Sequence, residues 1–378
     1  MKTLWFKAAV SLCGAFLSAA PAAADRCRTI QVLSAEANVP VIGMEDIAVD
    51  GGRGVAYLSA YDRRSESGAA NAADPTLSGI FRLSLADLDR AHDDGAPVTV
   101  EALSADWTGG ATFRPHGISL FIDDSGRRTL FVVNHRDRAG GGAKSVEIFD
   151  IVDDRMVHRQ PGGTVLGSAL CSPNDVAAVD RDRFLVTLDH GSCTWWERLS
   201  EDVFSLPRAG VAYYDGTELR PVADRMLFAN GIVLGRSGDE SAGRVFVSAT
   251  REKAIRVYDA EGLLQATSPI HEPLMRIPLD GGPDNLSWGP DGRLIVAVHP
   301  ALFRLGLFLK GLFGVSSAPS RIVALTPGVS GGDRQVLFAD DGSRLPAATV
   351  GVVERGRLLI GAVAGDRLGL CDGLGRRG

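Results

Sequence analysis

The sequence has no apolar run long enough to cross a lipid bilayer. Two apolar stretches stand out, at 8–20 and 301–314. Both are shorter than the roughly 20 residues that a transmembrane helix requires. The first is alanine-rich, and the glycines of the second weaken a helix prediction. Neither segment is therefore expected to span a membrane.

The sequence also lacks an excess of basic residues. It has 40 Lys and Arg against 46 Asp and Glu, with a formal net charge of -6 and a pI near 5.7. Nucleic-acid-binding domains usually carry a basic patch and a high pI. This composition argues against nucleic acid as a partner.

A third absence concerns catalysis. No Gly-x-Ser-x-Gly sequence occurs in the chain. That motif forms the sharp turn that exposes the nucleophile of many serine esterases. Hydrolysis by this chain, if any, is expected to use other groups.

The N-terminus has the pattern of an export signal. Lys2 and Lys7 provide a positive start, Ala8–Ala20 is an apolar core, and 22–24 is a small-residue cleavage site. We expect residues 1–24 to be a signal peptide and 25–378 to be one mature domain that begins at Asp25. The mature protein is expected in the periplasm or outside the cell.

Cysteine is scarce, with five in the chain. Cys13 lies in the predicted signal, and the bulky Leu12 before it argues against a lipoprotein signal. An exported chain meets an oxidising compartment, so disulfides are expected among the others. The sequence allows three connectivities and leaves free buried thiols as an alternative for the middle pair. The remaining cysteines are Cys27, Cys171, Cys193 and Cys371.

Histidines bracket one predicted hairpin. An apolar run leaves His116, turns at Ser125-Gly126, and a second apolar run ends on His135. In an antiparallel pair, the start of one strand lies beside the end of the other. The two histidines should therefore meet, as a general base and its orienting partner or as unrelated rim residues.

This hairpin is one of six similar units. Each unit is followed by further short apolar runs, so each supplies about four strands. Such radial repetition predicts an all-β fold, a six-bladed β-propeller, whereas a two-sheet sandwich would not explain the recurrence. The strand at 29–33 is expected to pair with the final unit, so that both chain ends close the last blade. The units begin near residues 45, 116, 174, 230, 284 and 349.

Polar residues open the first strand of five units. If these strands line the central channel, their side chains converge at one mouth. Close carboxylates repel unless a cation neutralises them, and carboxylate and amide oxygens suit Ca²⁺ better than Zn²⁺. Neighbours on a strand point to opposite sides, so two metals are expected; the alternative is that Asn and Asp merely cap turns. The residues are Glu45, Asp46, His116, Asn174, Asp175, Asn230, Asp284 and Asn285.

Three second strands end in histidines that should reach the same rim: His135, His190 and His299. The other three, His92, His158 and His271, are interpreted as surface residues. The apolar segment 301–314 is expected to be a loop or short helix. It would pack on the surface, cover the site, or touch a membrane through Leu302–Phe313.

These motifs together resemble the paraoxonase/arylesterase family, within the gluconolactonase-like group of six-bladed propellers. The resemblance runs across nearly the whole mature chain. The Pro-His-Gly-Ile-Ser and Ala-Asn-Gly-Ile blocks are its most specific parts. Its segments are 44–47, 115–123, 132–135, 174–176, 228–232 and 284–286.

The resemblance implies a catalytic calcium on Glu45, Asn174, Asn230, Asp284 and Asn285. It implies a structural calcium on Asp46, Asp175 and the backbone carbonyl of Ile118. It also implies a dyad of His116 and His135 and a disulfide between Cys27 and Cys371. The pair Cys171 and Cys193 and the segment 301–314 are not features of the family.

The chemistry expected from this site is calcium-dependent hydrolysis of lactones and of aryl or carboxylic esters. Calcium would polarise the carbonyl while His116 activates water, with His135 orienting it or relaying the proton. Asp284 is a rival base or nucleophile. The expected partner is a small apolar ester or lactone. The alternatives are a gluconolactonase-like sugar lactonase and a non-catalytic propeller stabilised by calcium.

Overall fold

Short strands make up most of the chain. The structure, a computed structural model, describes residues 26–66, 78–94, 96–105, 107, 109, 112–136, 144–327 and 333–373. The predicted signal peptide and the start at Asp25 lie outside the described residues. In the described part no helix is long and apolar enough to cross a membrane.

Twenty-five strands are described. In chain order β1 to β25 are Cys27–Ser34, Met44–Asp50, Val55–Ala60, Gly79–Ser84, Val98–Ala102, Pro115–Ile122, Arg128–Asn134, Ser145–Val152, Arg155–His158, Thr164–Val165, Pro173–Ala178, Phe184–Leu188, Ala209–Tyr214, Leu219–Met226, Ala229–Leu234, Arg244–Ala249, Ala254–Asp259, Met275–Pro278, Gly282–Trp288, Leu294–His299, Ser320–Leu325, Arg334–Asp340, Ala348–Glu354, Arg357–Ala362 and Arg367–Cys371. Helices α1 to α5 are Arg63–Glu66, Leu85–Asp94, Trp195–Phe204, Ala260–Gln265 and Leu302–Leu309.

The strands form a propeller-like, all-β arrangement. Four sheets each come from one stretch of chain: β6 to β10, β11 to β14, β15 to β18 and β19 to β22. The first strands of successive units, β2, β6, β11, β15, β19 and β23, lie side by side in a closed ring. The apolar core lies between neighbouring sheets, as where Phe131 meets Phe184 with ring centroids 5.6 Å apart.

The first and last units differ from the prediction of separate sheets. Their strands form one eight-stranded sheet in the order β2-β3-β4-β5-β1-β25-β24-β23. The cause is the length of β1. Its first half pairs antiparallel with β25, and its second half, from Val32, pairs parallel with β5 at Val98. The predicted pairing of the N-terminal strand with the final unit is confirmed.

Two disulfides are present. Cys27 lies opposite Cys371 in the β1–β25 register, and the two are bonded as the resemblance implied. Cys171 and Cys193 are also bonded, which decides the alternative that the sequence left open. The first bond joins the two ends of the described chain, and the second holds the loop that leads into α3.

Each ring strand has an irregularity at its start. The pairing register shifts once in every first strand, which is the signature of a β-bulge. A bulge re-aims a side chain without ending the strand. The shifts lie between Met44 and Asp46, Pro115 and Ile118, Pro173 and Val176, Ala229 and Ile232, Pro283 and Leu286, and Ala348 and Val350.

Candidate active site

The bulges open onto a cavity of about 580 Å³ at the mouth of the ring. Polar side chains from all six first strands line it, including those of the five units that the repeat pattern predicts. Helix α5 and α1 contribute further lining residues. The polar lining residues from the first strands are Glu45, His116, Asn174, Asn230, Asp284 and Thr349.

His116 is held by a carboxylate. Its Nδ1 lies 2.7 Å from Oε2 of Glu45, and both side chains are almost fully buried. An ionised carboxylate only accepts hydrogen bonds, so Nδ1 donates and Nε2 keeps its lone pair. Burial, followed by the positive charge of Arg63, holds the pKa of His116 well below its usual range. The ring is therefore neutral at pH 7.

His135 meets His116 as the hairpin predicts. The ring centroids are 4.6 Å apart and the planes are perpendicular. Nε2 of His135 donates to the carbonyl of Pro173 at 2.7 Å, which leaves its Nδ1 as an acceptor. Burial, followed by the charge of Lys144, lowers the pKa of His135 well below its usual value.

A second carboxylate–histidine pair faces the same cavity. Nε2 of His299 donates to Oδ2 of Asp284 at 2.6 Å, and His299 is 1% exposed. The sequence placed His299 at the rim but did not pair it with Asp284. The sequence could have indicated this pair, because Gly282, two residues before Asp284, lies opposite His299 in the same hairpin.

Three buried amide oxygens have no hydrogen-bond partner within the described structure. They belong to Asn174, Asn230 and Asn285. A buried polar atom without a partner costs free energy, so such atoms usually serve a ligand or an ion. The amide nitrogen of Asn285 donates to Glu45, which turns its oxygen away from that carboxylate.

Among the described residues, the ion-pair partners of Glu45 and Asp284 are the histidines His116 and His299. Burial raises the pKa of Glu45, although Arg63 and the Asn285 hydrogen bond act in the opposite direction. Carboxylate and amide oxygens at one mouth fit a hard divalent cation such as Ca²⁺. In the described part of the chain, no three His, Cys, Asp or Glu residues form a metal-ligating group. The fit therefore depends on the amides.

Asp46 and Asp175 do not line the cavity; they bond to backbone beneath it. Asp46 accepts from the N–H of Ile118 at 2.7 Å, and Asp175 accepts from that of Ile232 at 2.8 Å. Each thereby ties one unit to the next. Burial and the charge of Glu45 raise the pKa of Asp46 to about 8, and burial and Asp46 raise that of Asp175. Side chains alternate along a strand, so Asp46 and Asp175 were predicted to point away from the face of Glu45 and Asn174.

Hydroxyl groups that the sequence analysis did not single out hold the ring residues. Near the ends of three second strands, a hydroxyl donates to the backbone carbonyl of a site residue in the next unit, at 2.5 to 2.6 Å. A Ser or Thr recurs near the end of these second strands, and this recurrence could have indicated the contact from the sequence. The pairs are Ser59 with His116, Thr187 with Asn230, and Ser248 with Asp284.

His190 does not line the cavity, although it was predicted at the rim. It bonds to Asp189 at 2.8 Å and to Asp202 on α3 at 3.3 Å. Burial opposes its charge, but these two hydrogen bonds outweigh it and raise the pKa of His190 to about 9. Arg251 also donates to Asp202, at 2.9 Å, so His190 belongs to an ionic cluster beside the mouth.

The histidines expected at the surface differ in how far they are buried. His271 is exposed and bonds to Asp224 at 2.5 Å. His158 is mostly buried and bonds at 3.1 Å to Glu147, because Glu147 lies inside the sheet and needs donors. The side chain of His92 lies outside the described residues.

The apolar segment 301–314 contains the short helix α5, and a short helix was one of the expected alternatives. Leu302, Leu305 and Leu309 line the cavity. Phe308 is 1% exposed and fixes the helix to the ring, whereas Phe303 is 81% exposed. The helix is thus an anchored apolar wall of the cavity.

The sequence model of the arylesterase family matches residues 76–372. The chain is 30% identical over 295 residues to serum paraoxonase/arylesterase 1 of Rattus norvegicus, across 77% of this chain and 76% of that protein. It is 31% identical over 258 residues to serum paraoxonase/arylesterase 2 of Homo sapiens, across 67% of each. The solved luciferin-regenerating enzyme is similar in fold alone, with a TM-score of 0.51 and 10% identity over 92% of this chain and 96% of that one.

The ring, its cavity and these similarities define the class of protein as an arylesterase- or lactonase-type hydrolase. The chain belongs to the arylesterase family.

Proposed function

We propose that this protein is a calcium-dependent hydrolase of lactones and of aryl or carboxylic esters. The observation that carries the proposal is the set of three buried, unpartnered amide oxygens at the mouth of the cavity that His116 lines. A protein that kept these residues only for packing would have no use for that arrangement. Family membership supports the hydrolytic class.

The catalytic calcium would be held by Glu45 and Asp284 with the three amide oxygens. When bound, calcium is a Lewis acid that polarises a carbonyl and stabilises negative charge on its oxygen. The residues below it would hold the second, structural calcium that the resemblance implies. These are Asp46, Asp175 and the carbonyl of Ile118, whose N–H already bonds to Asp46.

His116 would act as the general base. Its Nδ1 is committed to Glu45, so Nε2 takes the proton from water. His135 has its acceptor nitrogen free, because its Nε2 donates to Pro173. It would relay the proton onward. The lowered pKa of each ring keeps both available as acceptors near neutral pH.

Asp284 is the alternative base. Its Oδ2 accepts from His299, which orients the carboxylate and fixes its position in the cavity. His116→Gln, which removes the acceptor nitrogen, separates these roles. Loss of turnover with calcium binding retained supports His116, and full turnover transfers the role to Asp284.

The substrate would be a small apolar ester or lactone. Leucines of α5 provide one wall of the cavity, and such a surface binds alkyl and aryl groups by burial. Two phenylalanines of this segment are largely exposed: Phe303, which also lines the cavity, at 81%, and Phe313 at 88%. We propose that Leu302–Phe313 contacts a membrane surface, which vesicle flotation with both phenylalanines replaced by serine would test.

We further propose that the eight-stranded sheet counts as two blades, so that the chain is a single six-bladed propeller. Its first half contains β2 to β5 and its second half contains β23 to β25 with β1. The six ring strands support this count. Two disulfides in one chain support export, as the predicted signal peptide requires.

The central experiment measures hydrolysis of phenyl acetate, aliphatic lactones and gluconolactone in calcium and in EGTA. We expect turnover of the first two in calcium and its loss in EGTA. Turnover of gluconolactone alone would indicate a sugar lactonase. Calcium binding without turnover of any substrate would indicate a binding propeller. The control His271→Gln alters an exposed histidine outside the cavity and should retain the wild-type rate.

A further inference from the structure

Arg63 is a cavity residue that has no role in the proposed hydrolysis. It is the first residue of α1, shortly after β3, and it lines the cavity together with Glu45 and His116. Its charge is the largest influence after burial on the pKa of both groups. Arg63 therefore shares a cavity with the proposed base and a proposed calcium ligand.

The hydrogen bonding of this guanidinium is incomplete within the described part of the chain. Among the described residues, Nη2 of Arg63 is buried without a hydrogen-bond partner. The nearest aromatic contact is Tyr61, with its ring centroid 5.9 Å from Cζ. A buried N–H group without a partner costs free energy unless a ligand accepts its hydrogen bond.

A second arginine at the cavity provides the contrast. Arg251 also lines the cavity, but its Nη1 donates to Oδ1 of Asp202 at 2.9 Å. Its Nη2 donates to the Asp202 carbonyl at 2.7 Å. Arg251 is thus occupied by the protein itself, whereas the free Nη2 of Arg63 is available to a bound molecule.

We propose that Arg63 is a carboxylate-binding residue of the substrate cavity. The planar guanidinium fork matches a carboxylate with two parallel hydrogen bonds, which a lysine does not reproduce. Resting on the proposed function, the carboxylate has two sources. It is either the acid released by ester hydrolysis or an anionic group already present on the substrate.

The test uses Arg63→Met, Arg63→Lys and the control Arg251→Met. Two substrates that differ by one carboxylate, phenyl acetate and 4-acetoxybenzoate, report on a substrate anion. Calorimetric titration of the calcium-loaded protein with benzoate reports on a free acid without any turnover. Thermal unfolding checks that each variant is folded.

Loss of a charged hydrogen-bond pair is worth about tenfold to a hundredfold in binding. For a substrate anion, the ratio of kcat/KM for 4-acetoxybenzoate to that for phenyl acetate falls by this factor in Arg63→Met. For a product acid, the ratio is unchanged and benzoate binding weakens by this factor. In either case Arg63→Lys should recover part of the loss, and Arg251→Met should leave both readouts nearer to wild type.

Two results would overturn the inference. One is an unchanged ratio together with unchanged benzoate affinity in Arg63→Met. The other is an equal loss of turnover on both substrates with benzoate affinity intact, which would make Arg63 a counter-charge for Glu45. If no substrate is hydrolysed at all, benzoate binding still decides the role of Arg63 separately from the proposed function.

Discussion

Asn230→Leu should stabilise the protein without calcium and weaken its response to calcium. The Oδ1 atom of Asn230 is buried and has no partner among the described residues. An unsatisfied buried polar atom costs about 1–3 kcal/mol, and an apolar side chain of similar shape avoids that cost. In EGTA the variant should therefore unfold at a higher temperature, by roughly 2 °C per kcal/mol.

In calcium this advantage of the variant over the wild type should shrink. Removing one oxygen ligand is expected to weaken calcium binding at least tenfold. At a calcium concentration of about 100 times the wild-type Kd, binding stabilises the wild type by about 2.7 kcal/mol. A tenfold weaker Kd reduces this to about 1.4 kcal/mol. Calorimetric unfolding in EGTA and across a calcium series measures both quantities.

Asn134→Leu is the matched control. Asn134 is equally buried, but its oxygen accepts from the N–H of Arg114 at 2.9 Å. Its replacement should destabilise the protein in EGTA and leave the calcium response intact. If Asn230→Leu also destabilises the protein in EGTA and leaves the calcium response intact, Asn230 has a structural role only and is not a calcium ligand.

Three further predictions concern the surroundings of the site. His190→Asn should lose up to about 3 kcal/mol of unfolding free energy near pH 6 and little near pH 10, since a pKa raised to about 9 gives stability that is complete below about pH 6.5 and lost through pH 9. Urea unfolding against pH tests this, with the exposed His271→Asn as control, and a pH-independent loss would contradict it. Cys27→Ser removes a disulfide between residues 344 apart in sequence. The greater entropy of the open unfolded chain should lower the free energy of unfolding by about 5–6 kcal/mol. An unchanged midpoint of urea unfolding would refute this. Phe308→Ala should lower the free energy of unfolding by about 3–5 kcal/mol and raise KM for apolar esters. Phe303→Ala should change the free energy of unfolding by no more than about 0.5 kcal/mol. Equal effects of the two substitutions would show that Phe308 does not anchor α5.

The local parts of the fold were predictable because strand patterns are local. An apolar alternation that starts at a polar residue fixes which end of each hairpin that residue occupies. This is why His116 and His135 were expected to meet, and their rings are 4.6 Å apart. The same reasoning placed Glu45 and Asn174 at one mouth.

The remaining features depend on contacts between distant segments. Nothing near Val32 indicates that it pairs with Val98 in parallel, since parallel pairing leaves no turn signature. Arg63 lies on a helix of four residues, too short for a periodic pattern. The pairing of His299 with Asp284 required the side-chain geometry at a bulge, which the sequence does not specify.

The eight-stranded sheet has a consequence for when the molecule can form. Strand β1 is made first and β25 last, yet the sheet needs both. Each of the other four sheets can assemble from a continuous stretch, but the ring must remain open until β25 has been made. A chain that stops before Cys371 would expose the unpaired edges of β1 and β24, which are templates for aggregation. Completion of β25 is therefore the step that separates a closed ring from a fragment with exposed sheet edges.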